Sequence, residues 1–312
     1  MPANSRPPQI IIITGPTAIG KSGLAHRLAL EIGAEIINAD SMQIYRYMDI
    51  GTAKPTPVQQ QEVPYHLIDI VDPDSSFDAS DFRDRAQKII YELHDRHIPV
   101  LVVGGTGLYL RVLLRGLFNC PKPRREIREE WKRQAQGQGA EFLWEALKQR
   151  DPLSATRIHP NDTYRLIRAL EVFELTGRPI SEWQRWETAG VREFEALWVG
   201  LTLERSVLYD RINARVEAMM DMGFLEEVRV LLKRGYSPDL KSMKSLGYRH
   251  LLESLKGEKD LSTAVEEIKR DTRRYAKRQW TWLAKEENLN WFSLEEFDKV
   301  YNQIKDFLRT EK

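Results

Sequence analysis

The residues best suited to chemistry form a glycine-bounded loop near the start of the chain. Gly15 and Gly20, followed by Lys21 and Ser22, have the G-x-x-x-x-G-K-S spacing of a phosphate-binding P-loop. The backbone amides of such a loop wrap a phosphate, the lysine adds positive charge, and the serine hydroxyl can bind Mg²⁺. We therefore predict a diphosphate or triphosphate ligand and a Mg²⁺ cofactor bound by Ser22. The predicted contacts are Gly15, Pro16, Thr17, Ala18, Ile19, Gly20, Lys21 and Ser22.

The P-loop pattern, common in ATP-binding proteins, does not identify the phosphate compound. Kinases and nucleotide hydrolases usually place a second acidic magnesium ligand at the end of a neighbouring apolar strand. Here the apolar run PVLVV is followed by Gly104, Gly105 and Thr106, with no carboxylate. That omission counts against nucleotide hydrolysis.

A carboxylate follows another apolar run. Asp40 comes directly after EIINA, where it could accept a proton from a nucleophile. Capping of a following helix is the alternative role for this side chain. Lys54 lies on the next loop, in DIGTAKP, where a role at the site and a solvated position in a turn are both open.

The elements that must position these residues alternate along the first hundred positions. The runs QIIIIT, EIINA, HLIDIV and PVLVVGG predict strands, and the stretches 21–32 and 78–97 predict helices. Strands that alternate with helices form a parallel sheet, and ligands gather at the carboxyl ends of its strands.

The pattern changes at about residue 116. Helical stretches broken by proline and glycine continue to about residue 195, without a convincing strand. ALWVGLTL then predicts a strand that returns to the sheet, and NLNWF predicts a last strand. We therefore predict an α/β fold in which a P-loop-containing parallel-sheet core, formed by 1–115 and 196–312, carries an inserted all-helical domain at 116–195.

Composition narrows the class of protein. The 312 residues include 47 Lys and Arg against 46 Asp and Glu, so net charge gives no evidence of a polyanionic partner. The single Cys120 excludes an intrachain disulfide and a multi-cysteine zinc site, and we expect it to be an ordinary small side chain. The polar start and the short apolar runs predict neither a signal peptide nor a membrane helix. We expect a cytoplasmic protein.

A basic and aromatic segment lies near the end of the chain. On its own, this pattern is typical of a solvated amphipathic helix with its tryptophans in the core. The same residue types bind single-stranded RNA loops by stacking and phosphate contacts. The residues concerned are Arg270, Arg273, Arg274, Tyr275, Lys277, Arg278, Trp280 and Trp282.

A series of segments resembles the tRNA dimethylallyltransferase family of bacteria, in order and over nearly the whole chain. They are GPTAIGKS, ADSMQIY, DIGTAKP, HLIDIVDP, the DF at 81–82, VGGTGLY, RIHPNDTYRLIRALE, KSLGYRH and AKRQWTWL. The resemblance implies Mg²⁺-dependent transfer of a dimethylallyl group from dimethylallyl diphosphate to the exocyclic amine of the adenosine 3′-adjacent to the anticodon. It favours a monomer, and no obligate protein partner is evident.

The resemblance also implies roles for individual residues. Asp40 matches the general base, Thr106 a residue near the reaction centre, and Arg215 the arginine that grips the diphosphate. Arg211, one turn earlier on the same helix face, is a weaker candidate. The implied contacts with tRNA, through its anticodon stem-loop, are Asp40, Ser41, Met42, Gln43, Thr106, Arg128, Tyr164, Arg165, Leu166, Ile167, Arg168, Lys244, Ser245, Leu246, Gly247, Tyr248, Arg249, Arg274, Lys277, Arg278, Gln279, Trp280 and Thr281.

Alternatives remain at this stage. Arg165 and Arg168 share a helix face, where ion pairing with Glu171 is the alternative to RNA contact. For the whole protein, the alternatives are a small-molecule P-loop kinase, a prenyltransferase that acts on free adenine nucleotides, and an RNA-binding protein with an inactive P-loop. Transfer of the ATP γ-phosphate, comparison of AMP with an anticodon stem-loop as acceptor, and loss of activity in an Asp40 variant distinguish them.

Overall fold

The computed structural model describes residues 6–116, 124–184 and 193–309. Cys120 lies outside these ranges, so its expected role stays a prediction. The chain divides into two compact units. The core unit comprises Met1–Leu114 and Arg192–Lys312, and the helical unit comprises Arg115–Val191.

The core unit is built on a parallel six-stranded sheet in the order β3-β2-β4-β1-β5-β6. β1 lies between β4 and β5, and all its residues are buried, as expected for a central strand covered on both faces. The predicted return strand and last strand are confirmed as β5 and β6. The strands are β1 (Gln9–Thr14), β2 (Glu35–Asn38), β3 (Tyr65–His66), β4 (Val100–Val103), β5 (Glu195–Leu201) and β6 (Leu289–Phe292).

Helices make up most of the remaining described chain. The first four along the chain are α1 (Lys21–Ile32), α2 (Pro57–Glu62), α3 (Ala79–Asp95) and α4 (Gly107–Arg115). The helical unit contains α5 (Arg125–Gln138), α6 (Ala140–Arg150), α7 (Pro152–Arg157), α8 (Thr163–Thr176) and α9 (Ile180–Gln184). The core unit continues with α10 (Arg205–Asp221), α11 (Phe224–Lys233), α12 (Tyr248–Leu255), α13 (Leu261–Leu283) and α14 (Phe297–Arg309). None of the helices in the described ranges combines the length and apolar character needed to cross a membrane.

Alternate residues of β1 enter two different apolar clusters. Ile10 and Ile12 belong to one cluster, and Ile11 and Ile13 belong to the other, because successive side chains of a strand point to opposite faces of the sheet. All four are fully buried, and burial of one such side chain contributes about 1.5–3 kcal/mol. This apolar strand fixes the position of the loop that follows it.

The strand predicted over HLIDIV is wrong beyond His66. Only Tyr65 and His66 pair with β2. Leu67 and Asp69 adopt positive φ values of 60° and 54°, which a strand does not allow. The chain therefore leaves the sheet, and the N–H of Ile70 donates to the Ile44 carbonyl at 2.9 Å. The apolar run packs against the loop after β2 instead of extending β3.

Lys54 is not a solvated lysine in a turn. Its side chain is only 3% exposed. The ammonium donates to the Tyr45 carbonyl at 2.5 Å, to Asp49 Oδ1 at 2.6 Å and to Asp69 Oδ1 at 2.5 Å. A lysine has three donors, and all three are used here. Lys54 thus joins the loop after β2 to the loop after β3.

We predict that Lys54→Met lowers the free energy of unfolding by about 2 kcal/mol, because three acceptors lose their buried donor. Chemical denaturation followed by circular dichroism measures the change. The control is Lys88→Met, which removes an exposed lysine paired with Glu92 at 3.9 Å. That variant is expected to lose less than about 0.5 kcal/mol. Equal losses in the two variants would contradict the assignment.

Candidate active site

Three loops converge at the carboxyl edge of the sheet, because β2, β4 and β1 are neighbours. The P-loop segment (residues 15–22) follows β1, Asp40 follows β2, and the glycine turn Gly104–Thr106 follows β4. A cavity of about 530 Å³ lies within the core unit at this edge. Its lining includes Thr17, Ala18, Gly20, Lys21, Ser22, Asp40, Gln43, Gly104, Arg211, Arg215, Tyr275 and Gln279. The structure thus brings most of the predicted phosphate and base residues together.

The P-loop segment folds back on itself at the start of α1. Gly20 precedes the helix at φ 104°, a conformation that favours glycine. Lys21 Nζ donates to the Pro16 carbonyl at 2.7 Å, which closes the loop. Of the eight predicted contacts, five line the cavity, whereas Gly15, Pro16 and Ile19 do not, and Ile19 is fully buried in the apolar core.

Lys21 and Arg215 are half-buried cations beside one carboxylate. Burial lowers the pKa of Lys21 to about 7, against the opposing effect of the Asp40 charge and with a further decrease from Arg215. Burial also lowers the pKa of Arg215, and Asp40 again opposes the change. Since one carboxylate cannot neutralise two cations, the cavity favours an anionic ligand.

Asp40 is held by its own turn. Its N–H donates to Asn38 Oδ1 at 3.1 Å, and its Oδ1 accepts the Met42 N–H at 2.9 Å. The carboxylate stabilises a turn. The alternative role, capping of a following helix, is wrong, because the next helix, α2, begins only at Pro57. Within the described residues, Oδ2 accepts no hydrogen bond, so one oxygen is available to a substrate.

Thr106 joins the glycine turn to the Asp40 loop. Its Oγ1 accepts the Ser41 N–H at 3.0 Å, and its own N–H donates to the Ala39 carbonyl at 3.3 Å. Thr106 is half-buried and does not line the cavity. Gln43 follows Asp40 on the same loop and lines the cavity. Its Nε2 donates to the Thr52 carbonyl at 3.1 Å.

Two arginines approach the cavity from α10. Arg211 and Arg215 are four residues apart and both line it, as the helical spacing predicts. Arg215 Nη1 donates to Thr17 Oγ1 at 3.5 Å, so it lies against the P-loop segment. Arg211 is exposed. The structure therefore places the stronger candidate closer to the predicted phosphate site.

Side chains of α13 form another wall of the cavity. Gln279 is buried, accepts the Thr17 N–H at 2.8 Å and donates to the Gly105 carbonyl at 3.0 Å. Tyr275 lines the cavity one turn earlier, and burial together with the Asp40 charge raises its pKa well above the usual range. Trp280 is half-buried against the apolar cluster that contains α1 residues.

Acidic residues pair with part of the predicted basic strip on α13. Arg274 Nη1 lies 3.2 Å from Asp271 Oδ1, and Arg249 Nη2 lies 2.7 Å from Asp271 Oδ2. Burial opposes ionisation of Asp271, but hydrogen bonds from its basic neighbours lower its pKa overall. Lys277 and Arg278 are exposed and have no acidic partner among the described residues. Thr281 is also exposed, and its hydroxyl donates to the Lys277 carbonyl.

The KSLGYR run at 244–249 is largely part of the packing. Tyr248 is 1% exposed, and its hydroxyl donates to Glu227 Oε1 at 2.6 Å. Glu227 also accepts the backbone N–H groups at 49–51, at 2.7 to 3.1 Å. Leu246 packs against the core and Gly247 is buried, whereas Lys244 is exposed and pairs with Asp239 at 2.8 Å. Ser245 is half-buried.

In the helical unit, two arginines form ion pairs with Glu171. Glu171 is fully buried and accepts from Arg128 Nε at 3.0 Å and from Arg168 Nη1 at 2.7 Å. Arg165 instead lies 3.4 Å from Asp162 and is exposed. Tyr164 is 71% exposed. Leu166 and Ile167 belong to the apolar core of this unit, so their side chains do not face solvent.

Sequence reasoning missed several residues that build the site. Glu227 gave no signal because its partners are backbone N–H groups and one distant tyrosine. Gln279 was assigned to RNA contact by the resemblance, although its spacing along α13 places it one turn after the buried Ala276. Tyr275 was noted only as an aromatic residue of the basic strip.

The residues present fit a Mg²⁺ ion that is shared with a phosphate ligand. Ser22 is exposed at the first turn of α1, lines the cavity, and its hydroxyl makes no hydrogen bond within the described residues. Asp40 and Thr17 provide further oxygen atoms in the same lining. The described residues contain no group of three acidic, histidine or cysteine side chains that could hold a metal. Mg²⁺ commonly uses few protein ligands and takes the rest from phosphates and water.

Comparison with known proteins identifies the family. A sequence model of the family described as IPP transferase matches residues 43–286. The chain belongs to the IPP transferase family. Among its relatives, tRNA dimethylallyltransferase 2 of Syntrophus aciditrophicus (strain SB) is 50% identical over 304 residues, which cover 97% of this chain and 98% of the relative.

Solved structures of the IPP transferase family share the fold. The full-length tRNA isopentenylpyrophosphate transferase of Bacillus halodurans is 39% identical, with 97% of each chain covered and a TM-score of 0.72. A eukaryotic dimethylallyltransferase, solved in crystallographic snapshots of its action on tRNA, is 27% identical. The match covers 97% of this chain and 80% of the eukaryotic one, with a TM-score of 0.79.

The pKa of Lys21 predicts how ligand affinity changes with pH. Its amine loses its charge as the pH rises through about 7, whereas Arg215 beside it stays charged. A neutral amine does not attract diphosphate. We therefore expect the affinity for inorganic diphosphate to fall above about pH 7, by up to about tenfold per pH unit, relative to a Lys21→Arg variant that stays charged. Calorimetric titration of both proteins across this range tests the prediction, and parallel profiles would contradict it.

Proposed function

We propose that the protein transfers a dimethylallyl group from dimethylallyl diphosphate to the exocyclic amine of the adenosine 3′-adjacent to the anticodon in tRNA, and releases diphosphate. Membership of the IPP transferase family and the tRNA dimethylallyltransferase relatives support the reaction class. The observation that carries the proposal is the single cavity in which Lys21 and Arg215 lie beside Asp40. The resemblance in the sequence also favours a monomer, which the proposal includes.

The cations act on the leaving group. As the carbon–oxygen bond breaks, positive charge develops on the allylic carbon and negative charge on the diphosphate. Lys21, Arg215 and the backbone N–H groups at the start of α1 are placed to stabilise that negative charge. Mg²⁺ held by Ser22 and diphosphate oxygens would neutralise further charge on the leaving group. Arg211, at the exposed side of the cavity, would bind the outer phosphate.

Asp40 acts on the nucleophile. The exocyclic amine of adenine is a poor nucleophile because its lone pair is delocalised into the ring. The nitrogen–carbon bond forms as the carbon–oxygen bond breaks, the electron pair of that bond leaves with diphosphate, and the amine proton passes to Asp40. The carboxylate oxygen that accepts no hydrogen bond within the described residues is available for this proton. General base catalysis of this kind contributes about 10²–10⁴-fold.

The adenosine must leave its stack to reach the cavity, so the acceptor is expected in a single-stranded loop. We propose that Lys277 and Arg278 bind phosphates of the anticodon stem-loop, since both are exposed and have no acidic partner among the described residues. Tyr164, with Arg128 5.7 Å from its ring centroid, offers an exposed stacking surface on the helical unit. At Leu166, Ile167 and Tyr248, whose side chains are buried, contacts with tRNA would be made by the backbone.

The direct test is mass spectrometry of an unmodified tRNA transcript incubated with the protein, dimethylallyl diphosphate and Mg²⁺. We expect a mass increase of one dimethylallyl group on the adenosine that follows the anticodon. A transcript with guanosine at that position and free AMP serve as control acceptors. Transfer of the γ-phosphate from ATP without prenylation, or equal prenylation of AMP, would contradict the proposal.

Asp40→Asn is expected to lower the single-turnover rate of transfer by about 10²–10⁴-fold, because the base is lost. The asparagine oxygen can still accept the Met42 N–H, so the turn should be retained. Asp84→Asn, an exposed change on α3, is the matched control and should transfer at the wild-type rate. An active Asp40→Asn variant would rule out the assigned role.

Alanine substitution of both Lys277 and Arg278 is expected to weaken tRNA binding and to reduce the slope of log affinity against log salt by about 1.5, because two phosphate contacts are lost. Filter binding at several salt concentrations measures the slope. Lys299→Ala removes a cation that pairs with Glu296 on α14 and should leave the slope unchanged. Equal slopes in all three proteins would show that RNA binds elsewhere.

A further inference from the structure

We infer that Gln279 is a positioning residue, whose side-chain amide fixes the P-loop segment and the glycine turn after β4 relative to each other. The inference deepens the proposed function and rests on it for its catalytic consequence. It gives Gln279 a role different from the contact with tRNA that the resemblance implies.

The geometry of the amide supports this role. Gln279 Oε1 accepts the Thr17 N–H at 2.8 Å, and Nε2 donates to the Gly105 carbonyl at 3.0 Å. One partner requires an oxygen and the other requires an N–H, so the amide has a single orientation. The residue is only 8% exposed. Both polar atoms of the amide are bonded to backbone groups of its own chain, and breaking these bonds leaves buried polar groups unsatisfied.

The two backbone partners lead to opposite sides of the reaction. Thr17 lies on the leaving-group side, where its Oγ1 accepts from Arg215. Gly105 precedes Thr106, whose Oγ1 accepts the Ser41 N–H next to Asp40, on the base side. One side chain therefore lies between the groups that bind the diphosphate and the group that takes the proton. Transfer requires the two substrates to be held within a few tenths of an ångström, so this separation matters for the rate.

The absence of a side chain at Gly105 leaves the space that the Gln279 amide occupies. A Cβ at this position would lie 2.2 Å from Gln279 Nε2, closer than atoms can approach. The space beside the turn is thus occupied by the glutamine amide, and an alanine at 105 would displace it. This contact provides a way to test the pair without touching any group assigned to substrate.

Gln279 also lies on the helix proposed to bind RNA. Gln279 follows Lys277 and Arg278 on α13, but it is buried where they are exposed. The outer face of α13 and the geometry of the cavity therefore share one rigid element. Substitutions on the two faces of the helix should have different kinetic effects.

The test compares Gln279→Glu and Gln279→Met with Lys277→Ala. Glutamate keeps the shape and the acceptor but places an oxygen against the Gly105 carbonyl, and methionine keeps the volume but removes both bonds. We expect both Gln279 variants to lower kcat at saturating tRNA by about 10- to 100-fold and to weaken binding of inorganic diphosphate, with tRNA affinity within about twofold of wild type. Lys277→Ala is expected to do the reverse: weaker tRNA binding, with the affinity for inorganic diphosphate unchanged.

A double-mutant cycle gives a second, independent readout. Gly105→Ala is expected to weaken diphosphate binding because it displaces the amide, and Gln279→Ser in the same chain should relieve the clash, so the two effects are not additive. Loss of tRNA affinity in the Gln279 variants, with kcat and diphosphate binding unchanged, would overturn the inference, as would an additive cycle. If the wild-type protein binds diphosphate but does not prenylate tRNA, the proposed function fails. The double-mutant cycle in diphosphate binding still tests the positioning role of Gln279.

Discussion

The structure depends most on the partial burial of two cations beside one carboxylate at the carboxyl edge of the sheet. Lys21 and Arg215 share the cavity with Asp40, and burial lowers the pKa of both cations. Such an arrangement is unfavourable unless a further anion completes it. The excess of positive charge favours an anionic ligand, which is why we propose diphosphate as the ligand of the cavity and Asp40 as the base.

The surrounding fold keeps this arrangement in place with polar contacts that join separate loops. Lys54 joins the loops after β2 and β3, and Glu227 holds residues 49–51 through three backbone N–H groups. Gln279 connects the P-loop segment with the turn after β4. The loops at the cavity can therefore be irregular in conformation and still be fixed in position.

Much of the fold could be predicted from the sequence because apolar periodicity and the P-loop spacing are local signals. The strands β1, β2, β4, β5 and β6 follow from short apolar runs, and α1 follows from the phosphate loop. The run HLIDIV failed as a strand because Leu67 and Asp69 adopt positive φ values and the chain after His66 forms hydrogen bonds with the loop after β2. Glu227 and Gln279 could not be assigned correctly, since their partners lie far away in sequence and are mostly backbone atoms. The burial of Lys54 could not be predicted because it depends on how the loops that carry Asp49 and Asp69 fold together. The amino-acid composition of a short segment does not indicate such contacts.

In the proposed reaction, diphosphate leaves from carbon within the cavity. Dimethylallyl diphosphate carrying a heavy oxygen isotope in the bridge between carbon and phosphorus tests it most directly. After one turnover with tRNA, the proposed chemistry predicts that all the label is found in the released diphosphate and that the prenyl carbon is bonded to the adenosine nitrogen. Recovery of the label in dimethylallyl alcohol would mean that a phosphorus–oxygen bond had broken instead, and would contradict the assignment of the P-loop segment as a site for the leaving group.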